Sequence, residues 1–370
     1  MKVALLTYST KPRGGVVHTL ALAEALAAAG QDVTVWTLGR EGDSGFFRPV
    51  DPSVRLRVVP FSDGGPSDGV GERILRSIAV LRAAFTPAGY DVVHAQDCIS
   101  ANAVDHCLRT VHHLDHFTTQ ELAACHERAI TNPFGIICVS RAVAGEVAAG
   151  WGITATVIPN GVDAGRFALA AGPGLAERAA RRRWRERFGR YVLAVGGIEP
   201  RKGSLDLLEA YALLRPSAPD ARLLIAGGET LFDYRDYRAA WDVRAAELFG
   251  GDPAAAPVVL GPVAHDALPS LMAAAAVFCF PSVREGFGLA AMEALAAGVP
   301  VVTRSLPVLR EVFGPAARFA ADPAGFAAAL RAALQSPGEL RAAGQALAAR
   351  YTWQGAAAAH IAVYERCAPR

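Results

Sequence analysis

A chain of 370 residues is long for one hydrophobic core and comfortable for two domains, each able to bury most of its apolar surface. Its formal net charge of +2 excludes a charge-driven nucleic-acid or membrane-surface protein and directs attention to small-molecule partners. Cysteines at 98, 107, 125, 138, 279 and 367 include no close pair, which fits reduced core thiols in a reducing cytoplasm and neither a disulfide framework nor a zinc knuckle. The opening Met1-Lys2-Val3-Ala4-Leu5-Leu6 is too short an apolar run for a signal peptide, and no uncharged stretch is long enough to cross a bilayer, so a cytoplasmic protein with no integral membrane segment is expected.

Val3 to Tyr8 predicts a buried strand, Ser9 to Gly15 a loop, Val16 to Ala29 a helix closed by Gly30, and Val33 to Leu38 a second strand, together a βαβ unit. In the loop, Lys11-Pro12-Arg13-Gly14-Gly15 lets backbone N–H groups approach an anion at the helix start, because glycine has no side chain to obstruct it. The plainer reading is a tight turn. A dinucleotide site fits less well, since G-x-G-x-x-G is absent and the second strand ends Thr37-Leu38-Gly39 without an acid. Arg40 to Gly71, rich in Gly, Asp and Pro with one strand at Val54 to Pro60, reads as a variable loop region.

Short strands follow at Asp91 to Ala95, which carries His94, and at Arg109 to His112, which runs into His113. Strand ends in such sheets face the ligand. The run His112-His113-Leu114-Asp115-His116, with His106 and His126 nearby in sequence, has the side chains of a first-row metal site. The i, i+4 spacing that such ligands use on a helix clashes with a strand ending at His112, so no metal is assigned.

Ile136 to Ser140 reads as the next strand, followed by a helix and then by Thr156-Val157-Ile158-Pro159-Asn160-Gly161-Val162-Asp163. Pro159 fixes an extended approach, while Asn160 and Gly161 accept the positive φ of a sharp turn, as a hinge between domains requires. Leu175 to Phe188 packs Arg178, Arg181, Arg182, Arg183, Arg185 and Arg187 around Trp184. A polynucleotide or phospholipid patch is one reading; with Glu177 and Glu186 interleaved, a solvated helix is the favoured one.

Tyr191 to Gly196 is a strand, and Gly197-Ile198-Glu199-Pro200-Arg201-Lys202-Gly203 opens a helix from Ser204 to Leu214. Strand, glycine loop and helix repeat the N-terminal design, so the chain reads as two Rossmann-like halves with a nucleotide between them. Lysine occurs only at 2, 11 and 202, which makes a compact point charge in a glycine loop a marked choice. Arg222 to Gly228 is a further strand; Phe232, Tyr234, Tyr237 and Trp241 follow, read as a helix face packed on its domain in preference to a base or sugar platform.

The most informative stretch is Pro281 to Thr303, PSVREGFGLAAMEALAAGVPVVT. Its pattern is strand, glycine loop, a helix from Leu289 to Ala297, a turn at Gly298 and Pro300, and a strand. Glu285 lies in the loop and Glu293 inside the helix, so the two acids can hold different ends of one ligand. Between them, the N–H groups of Gly286, Phe287, Gly288 and Leu289 open a helix N-terminus suited to phosphate. Phe326 to Leu334, Leu340 to Arg350 and Tyr351 to Cys367 read as helices.

The strings EGFGLAAMEALAAGVPVV, IPNGVD and GIEPRKG resemble the retaining glycosyltransferases of GT-B type, family 4-like and group 1. The resemblance implies an α/β GT-B fold, two Rossmann-like domains facing a central cleft. Residues 1–162 would form the acceptor domain and 163–350 the donor domain, with 351–370 a helix crossing back to the first. It implies a donor-sugar contact for Glu285 and a ribose contact for Glu293, and places Gly14 and Gly15 near the donor diphosphate and the acceptor. His112 becomes the sugar-contacting histidine, and the backbone at Val263 the reader of the base. Arg201, Lys202 and the Gly286 to Leu289 amides would neutralise the leaving diphosphate, with His112, Lys202 and Glu285 counted as catalytic. The family's arginine about five residues before the lysine is missing; Gly197 stands there. Glu311 lies in a segment resembling the one that follows the family's second Glu.

The expected activity is retaining transfer from a UDP- or GDP-linked sugar to a small-molecule, glycan or lipid acceptor, with no cofactor and no bound metal. Glu285 would orient and stabilise the donor, and attack would come on the donor's own face, assisted by the leaving phosphate. A GT-B sugar-nucleotide epimerase, told apart by activity without acceptor, and a non-catalytic two-lobed sugar-binding protein, which needs no phosphate clamp, are the competing classes.

Overall fold

The computed structural model describes residues 1–62, 64, 69–114, 119–228 and 234–367. The chain forms two compact units, Met1–Gly161 together with the chain from Tyr351 onward, and Val162–Arg350. Among the described residues no helix is long and apolar enough to cross a membrane.

The first unit runs β1 (Lys2–Leu6), α1 (Gly14–Ala28), β2 (Asp32–Arg40), β3 (Arg55–Phe61), α2 (Val70–Ala84), β4 (Val92–Ala95), α3 (Cys98–Asn102), β5 (Leu108–Val111), α4 (Gln120–Thr131), β6 (Gly135–Cys138), α5 (Arg141–Trp151) and β7 (Thr156–Val157). The strands are parallel in the order β3-β2-β1-β4-β5-β6-β7. The central strand β1 is apolar at every position from Val3 to Leu6 because both its faces are covered. Alternation sorts those residues: Val3 and Leu5 pack with Leu22, Leu26, Val33 and Val35, whereas Ala4 and Leu6 pack with Leu38, Phe61, Leu81 and Phe85.

One expectation shifts. Gly14 and Gly15 are the first two residues of α1 and not a loop before it, so their N–H groups belong to a helix start. Where the Arg40 to Gly71 region ends, the chain enters α2, which buries Ile74, Ser77 and Leu81; this three- and four-residue spacing was hidden among arginines.

The second unit runs α6 (Ala164–Ala171), α7 (Leu175–Phe188), β8 (Arg190–Val195), α8 (Ser204–Leu214), β9 (Ala221–Ala226), α9 (Arg235–Phe249), β10 (Val258–Gly261), α10 (Leu268–Ala274), β11 (Val277–Phe280), α11 (Leu289–Ala296), β12 (Val301–Arg304), α12 (Pro307–Phe313), β13 (Arg318–Ala320), α13 (Pro323–Gln335) and α14 (Arg341–Arg350). Its parallel sheet has the order β10-β9-β8-β11-β12-β13. The arginine-rich segment is the single helix α7, mostly exposed. Its inward side is tied down by Trp184 Nε1 donating to Ser270 Oγ at 2.9 Å and Arg185 Nε to the Ala274 carbonyl at 3.2 Å. On α9, Trp241 is buried and donates to the Ser204 carbonyl at 3.1 Å, while the Tyr237 hydroxyl accepts from the Leu205 N–H at 3.2 Å. These aromatics pack the helix onto the start of α8; Phe232 lies outside the described residues.

The chain returns to the first unit as α15 (Trp353–Cys367). Ala356, Ala357, Val363 and Tyr364 of α15 join the β1–α1 core, and full burial of a side chain the size of Val363 contributes roughly 1.5–3 kcal/mol. The positive φ expected of Asn160 and Gly161 is not found; glycine is needed at 161 because it passes the start of this helix so closely that a Cβ there would lie 2.5 Å from the Trp353 nitrogen.

Candidate active site

In each unit the chemistry-bearing residues follow strands of a parallel sheet, so their loops share its carboxyl edge. In the second unit the strand order reverses between β8 and β11, and the loops after these two strands carry Lys202 and Glu285. β8 runs into Gly196, whose φ of +145° few side chains accept; a Cβ there would press on the Lys202 stem at 3.2 Å. Pro200–Lys202 form a single 3-10 turn ended by Gly203 at φ +62°. A Cβ on Gly203 would lie 2.4 Å from the Pro281 carbonyl oxygen, so glycine is what lets the two loops meet. The Val283 N–H donates to the Arg201 carbonyl at 2.8 Å, which fastens one loop to the other.

On this frame four charges converge. Lys202 Nζ donates to Glu285 Oε1 at 2.6 Å, and Arg201 Nη1 donates to the same oxygen at 3.1 Å. Arg201 Nη2 also reaches Glu199 Oε1 at 3.3 Å. Glu199 and Glu285 are mostly enclosed, with side chains 7% and 11% exposed. The Lys202 ammonium lies 5.2 Å from the centre of the Phe280 ring, a cation–π contact. Burial lowers its pKa, neighbouring Arg201 adds to the lowering, and Glu285 opposes it. Arg201 thus turns inward beside Lys202, and Glu199, which the sequence left without a role, is its second anchor.

Downstream of Glu285, Gly286 to Gly288 are buried, so Phe287, 3% exposed, offers a ligand only its backbone. Gly288 starts α11 at φ +94°, packed so tightly on Phe313 and Phe280 that a Cβ would lie 3.1–3.2 Å from their rings. Among the described residues no side chain caps this helix start. The other end of α11 is fixed by α14, where Gly344 lets Leu295 approach to 2.8 Å of a Cβ position. Glu293 is on the second turn, half-buried, with its carboxyl pushed up to about 7, chiefly by desolvation. Asp163 adds to the rise and Arg166 opposes it. Asp163 accepts from the Arg166 N–H at 3.1 Å and caps α6. This pair, at the start of α6 and beside Glu293, was not legible in the sequence. Val263 follows β10 on the same sheet edge and is half-buried.

In the first unit the order reverses between β1 and β4. Gly14 and Gly15 follow β1, and His112 lies immediately beyond β5, whose last pairing is Val111 with Cys138. A Cβ on Gly15 would lie 3.5 Å from His112 Cδ2, so the structure brings these predicted site residues together. His112 is half-buried, its Nε2 is buried without a hydrogen-bond partner among the described residues, and its pKa falls to about 3, mainly through desolvation and then His113 and Arg109. His94 does not face a ligand: it is fully buried, with Nδ1 2.7 Å from the Tyr364 hydroxyl and Nε2 2.8 Å from Thr110 Oγ1. The other histidines of the metal-like run disperse. His106 stacks on Phe134 and His126 meets the edge of Trp151; Asp115 and His116 lie outside the described residues.

Two parallel Rossmann-like sheets, each with glycine-opened helices at its switch point, and a cation–carboxylate cluster on one of them define a GT-B glycosyltransferase. Residues 180–349 match the family described as Glycosyl transferases group 1, and residues 12–166 match Glycosyltransferase Family 4. The chain belongs to this family. It is 31% identical over 388 residues to the phosphatidyl-myo-inositol mannosyltransferase of Mycolicibacterium smegmatis, covering 97% of this chain and 92% of that protein. It is 28% identical over 436 residues to the MMP alpha-(1->4)-mannosyltransferase of Mycolicibacterium hassiacum, covering 100% and 99%. Among solved structures, Anabaena Alr3699/HepE in complex with UDP and glucose superposes with a TM-score of 0.72 at 19% identity over 98% of each chain, a likeness of fold.

Proposed function

We propose that the chain is a retaining glycosyltransferase that moves a sugar from a UDP- or GDP-linked donor to an acceptor without a bound metal. The observation that carries this reading is the sharing of Glu285 Oε1 by Lys202 and Arg201. Two cations are thereby held side by side next to a carboxylate, at the point where a parallel sheet of this kind takes its ligand. In the reaction the acceptor hydroxyl oxygen bonds to the anomeric carbon while the bond from that carbon to the phosphate oxygen breaks, and the hydroxyl proton passes to the departing phosphate. Negative charge grows on the diphosphate, and fixed cations with helix N–H groups stabilise it most in the transition state.

Lys202, Arg201 and the amides of Gly286 to Leu289 take the phosphates in this reading. Glu285 lies by the positive anomeric carbon, Glu293 binds the ribose hydroxyls, the Val263 backbone meets the base, and His112 contacts the sugar. Gly14 and Gly15 supply N–H groups at the start of α1. The names of the two mannosyltransferase relatives favour a hexose, with mannose the first to test. The phosphatidyl-myo-inositol relative supports including a lipid among the acceptors tried, beside glycans and small alcohols.

The test is a thermal-shift screen of UDP, GDP and ADP and their hexose conjugates, since specific binding stabilises by mass action, followed by transfer assays with and without excess chelator. Stabilisation by one nucleoside diphosphate, and transfer with retained configuration in chelator, are the expected results. No shift with any nucleotide would overturn the reading. Turnover of the donor to an epimer without acceptor would replace transfer by epimerisation.

A further inference from the structure

Beneath His112 the first unit holds a set of enclosed rings that the reaction above does not use. His18, one turn along α1 from Gly15, is fully buried, so it cannot touch a ligand itself. Its ring meets His112 with centroids 4.7 Å apart at 73°, edge to face. On its other sides stand Trp353, at 5.3 Å, and His360, at 6.2 Å, both from α15. His18 Nδ1 lies 2.9 Å from Asn160 Oδ1. An amide oxygen only accepts, so the proton of His18 sits on Nδ1 and the ring is the neutral tautomer with a bare Nε2. Asn160 is itself 4% exposed, and Gly161 after it is pinned against the Trp353 backbone.

We infer that His18 is a positioning residue: held by Asn160, Trp353 and His360, it sets the orientation of the His112 ring, the group assigned to the transferred sugar. The inference rests on the reading of His112 as the sugar contact. Three observations carry it. The His112 ring is bounded by Gly15 on one edge and by His18 on its side, which removes most of its rotameric freedom. Its Nε2 is buried and has no hydrogen-bond partner among the described residues, an arrangement that costs about 1–3 kcal/mol and persists where the surroundings impose it. The anchor of the ring below, Asn160, directly precedes Gly161, whose backbone passes that of Trp353 too closely for a Cβ, so a side chain leaning on it inherits the rigidity of that contact.

The groups facing His18 and His112 are His360 from α15, His94 from β4, and Arg109 and His113 flanking His112. All but the acceptor Asn160 disfavour a further positive charge there, so both rings work as neutral hydrogen-bonding groups.

The test uses full-length His18→Phe, which keeps a ring but loses the Asn160 bond, and His18→Asn, which keeps a donor to Asn160 but loses most of the ring. His112→Ala and the His18→Phe/His112→Ala double variant complete the set. Nitrogen-15 spectra of the imidazoles read His112 directly, without any substrate. For His18→Phe we expect altered His112 ring resonances, kcat down about tenfold or more with donor KM changed far less, and nucleoside diphosphate affinity within twofold of wild type. The double variant should be no slower than His112→Ala alone. His18→Asn should restore part of the kcat lost in His18→Phe, and it stands in for that variant if His18→Phe does not fold. Unchanged His112 resonances in both variants, or losses that add in the double variant, would overturn the inference. If wild-type protein binds no nucleotide sugar, the functional reading fails, while the imidazole spectra still decide whether His18 positions His112.

Discussion

Replacing Glu293 by Gln removes one ionisable group from a half-buried position on α11 while keeping its shape. In the folded chain the carboxyl is pushed up to about 7, whereas its ordinary value is 4.5. Between those values the folded state holds the proton and the unfolded state does not, so the contribution of Glu293 falls as pH rises through this window. Integrated from pH 5 to pH 8, the loss is about 2–3 kcal/mol, and the glutamine variant does not suffer it. A unit of this size moves its Tm by roughly 2–4 °C per kcal/mol. Glu293→Gln should therefore melt above wild type by about 5–10 °C at pH 8, narrowing to about 2 °C at pH 5. The same variant should bind nucleoside diphosphate about 10-fold to 100-fold more weakly, the worth of a hydrogen bond to a charged acceptor. Thermal melts of both proteins across pH, with calorimetric titration of the nucleotide, supply the two readings; groups common to both proteins cancel in the difference. Parallel stability profiles would refute the buried-charge argument, and an unchanged affinity would refute the ribose assignment.

Glu285→Gln should lower kcat about 100-fold or more, the scale of a lost charge-stabilising contact, while nucleoside diphosphate binds at least as tightly because Lys202 and Arg201 lose their competing carboxylate; a matching loss of nucleotide affinity would end the division of labour between the two acids. Arg201→Ala should cost about 2 kcal/mol or more in kcat/KM, with Gly197→Arg restoring part of it; unchanged kinetics in Arg201→Ala would mean that it does not replace the family's missing arginine. Gly203→Ala forces a side chain into the left-handed region against the Pro281 carbonyl and should lower stability by about 1–3 kcal/mol, read as a drop in Tm. His18, His94, His112 and His360 are all held below their ordinary pKa mainly by burial. The folded unit therefore binds fewer protons than the unfolded chain below about pH 6.5, and His112 and His360, pushed down to about 3 and about 4, should each cost about 2 kcal/mol by pH 5; amide protection factors in α15, taken relative to intrinsic exchange at each pH, that do not fall between pH 7 and pH 5 would contradict this.

What the sequence disclosed follows from the range of the interactions involved. The strands around Val3, Tyr191 and Val277 could be read because both faces of a parallel sheet are buried and the run stays apolar. The loops at 196–203 and 281–288 were visible because positive φ and close backbone approach leave glycine as the residue of choice. Short helices such as α10 and α12 span 7 residues each, too few for a period to show, and α4 exposes polar residues through most of its length. The histidine group under His112 was out of reach for a different reason. His18 and Asn160 are 142 residues apart and His94 and Tyr364 270 apart; each alone is an ordinary buried polar residue, and only the fold makes them neighbours. Asp163 and Arg166 beside Glu293 were hidden in the same way.

The glycine loop after β8 looked from sequence like a net positive site, yet its two cations are balanced by Glu199 and Glu285. That neutrality changes how the proposed reaction uses them. A donor diphosphate competes with Glu285 for Lys202 and Arg201, and an ammonium or guanidinium has donors enough to hold both while weakening its hold on each. As the bond to the phosphate breaks, the growing charge on the leaving group draws the cations further from the carboxylate. Glu285 then becomes more negative in effect at the moment when the anomeric carbon becomes most positive. One ion-pair cluster thus stabilises both separating charges, and does so more in the transition state than in the ground state, which is the condition for catalysis rather than tighter binding. Enclosure of Glu199 and Glu285 strengthens each of these interactions relative to water. The convergence of Lys202 and Arg201 on a single oxygen of Glu285 therefore matters more to the proposed chemistry than the number of cations in the loop.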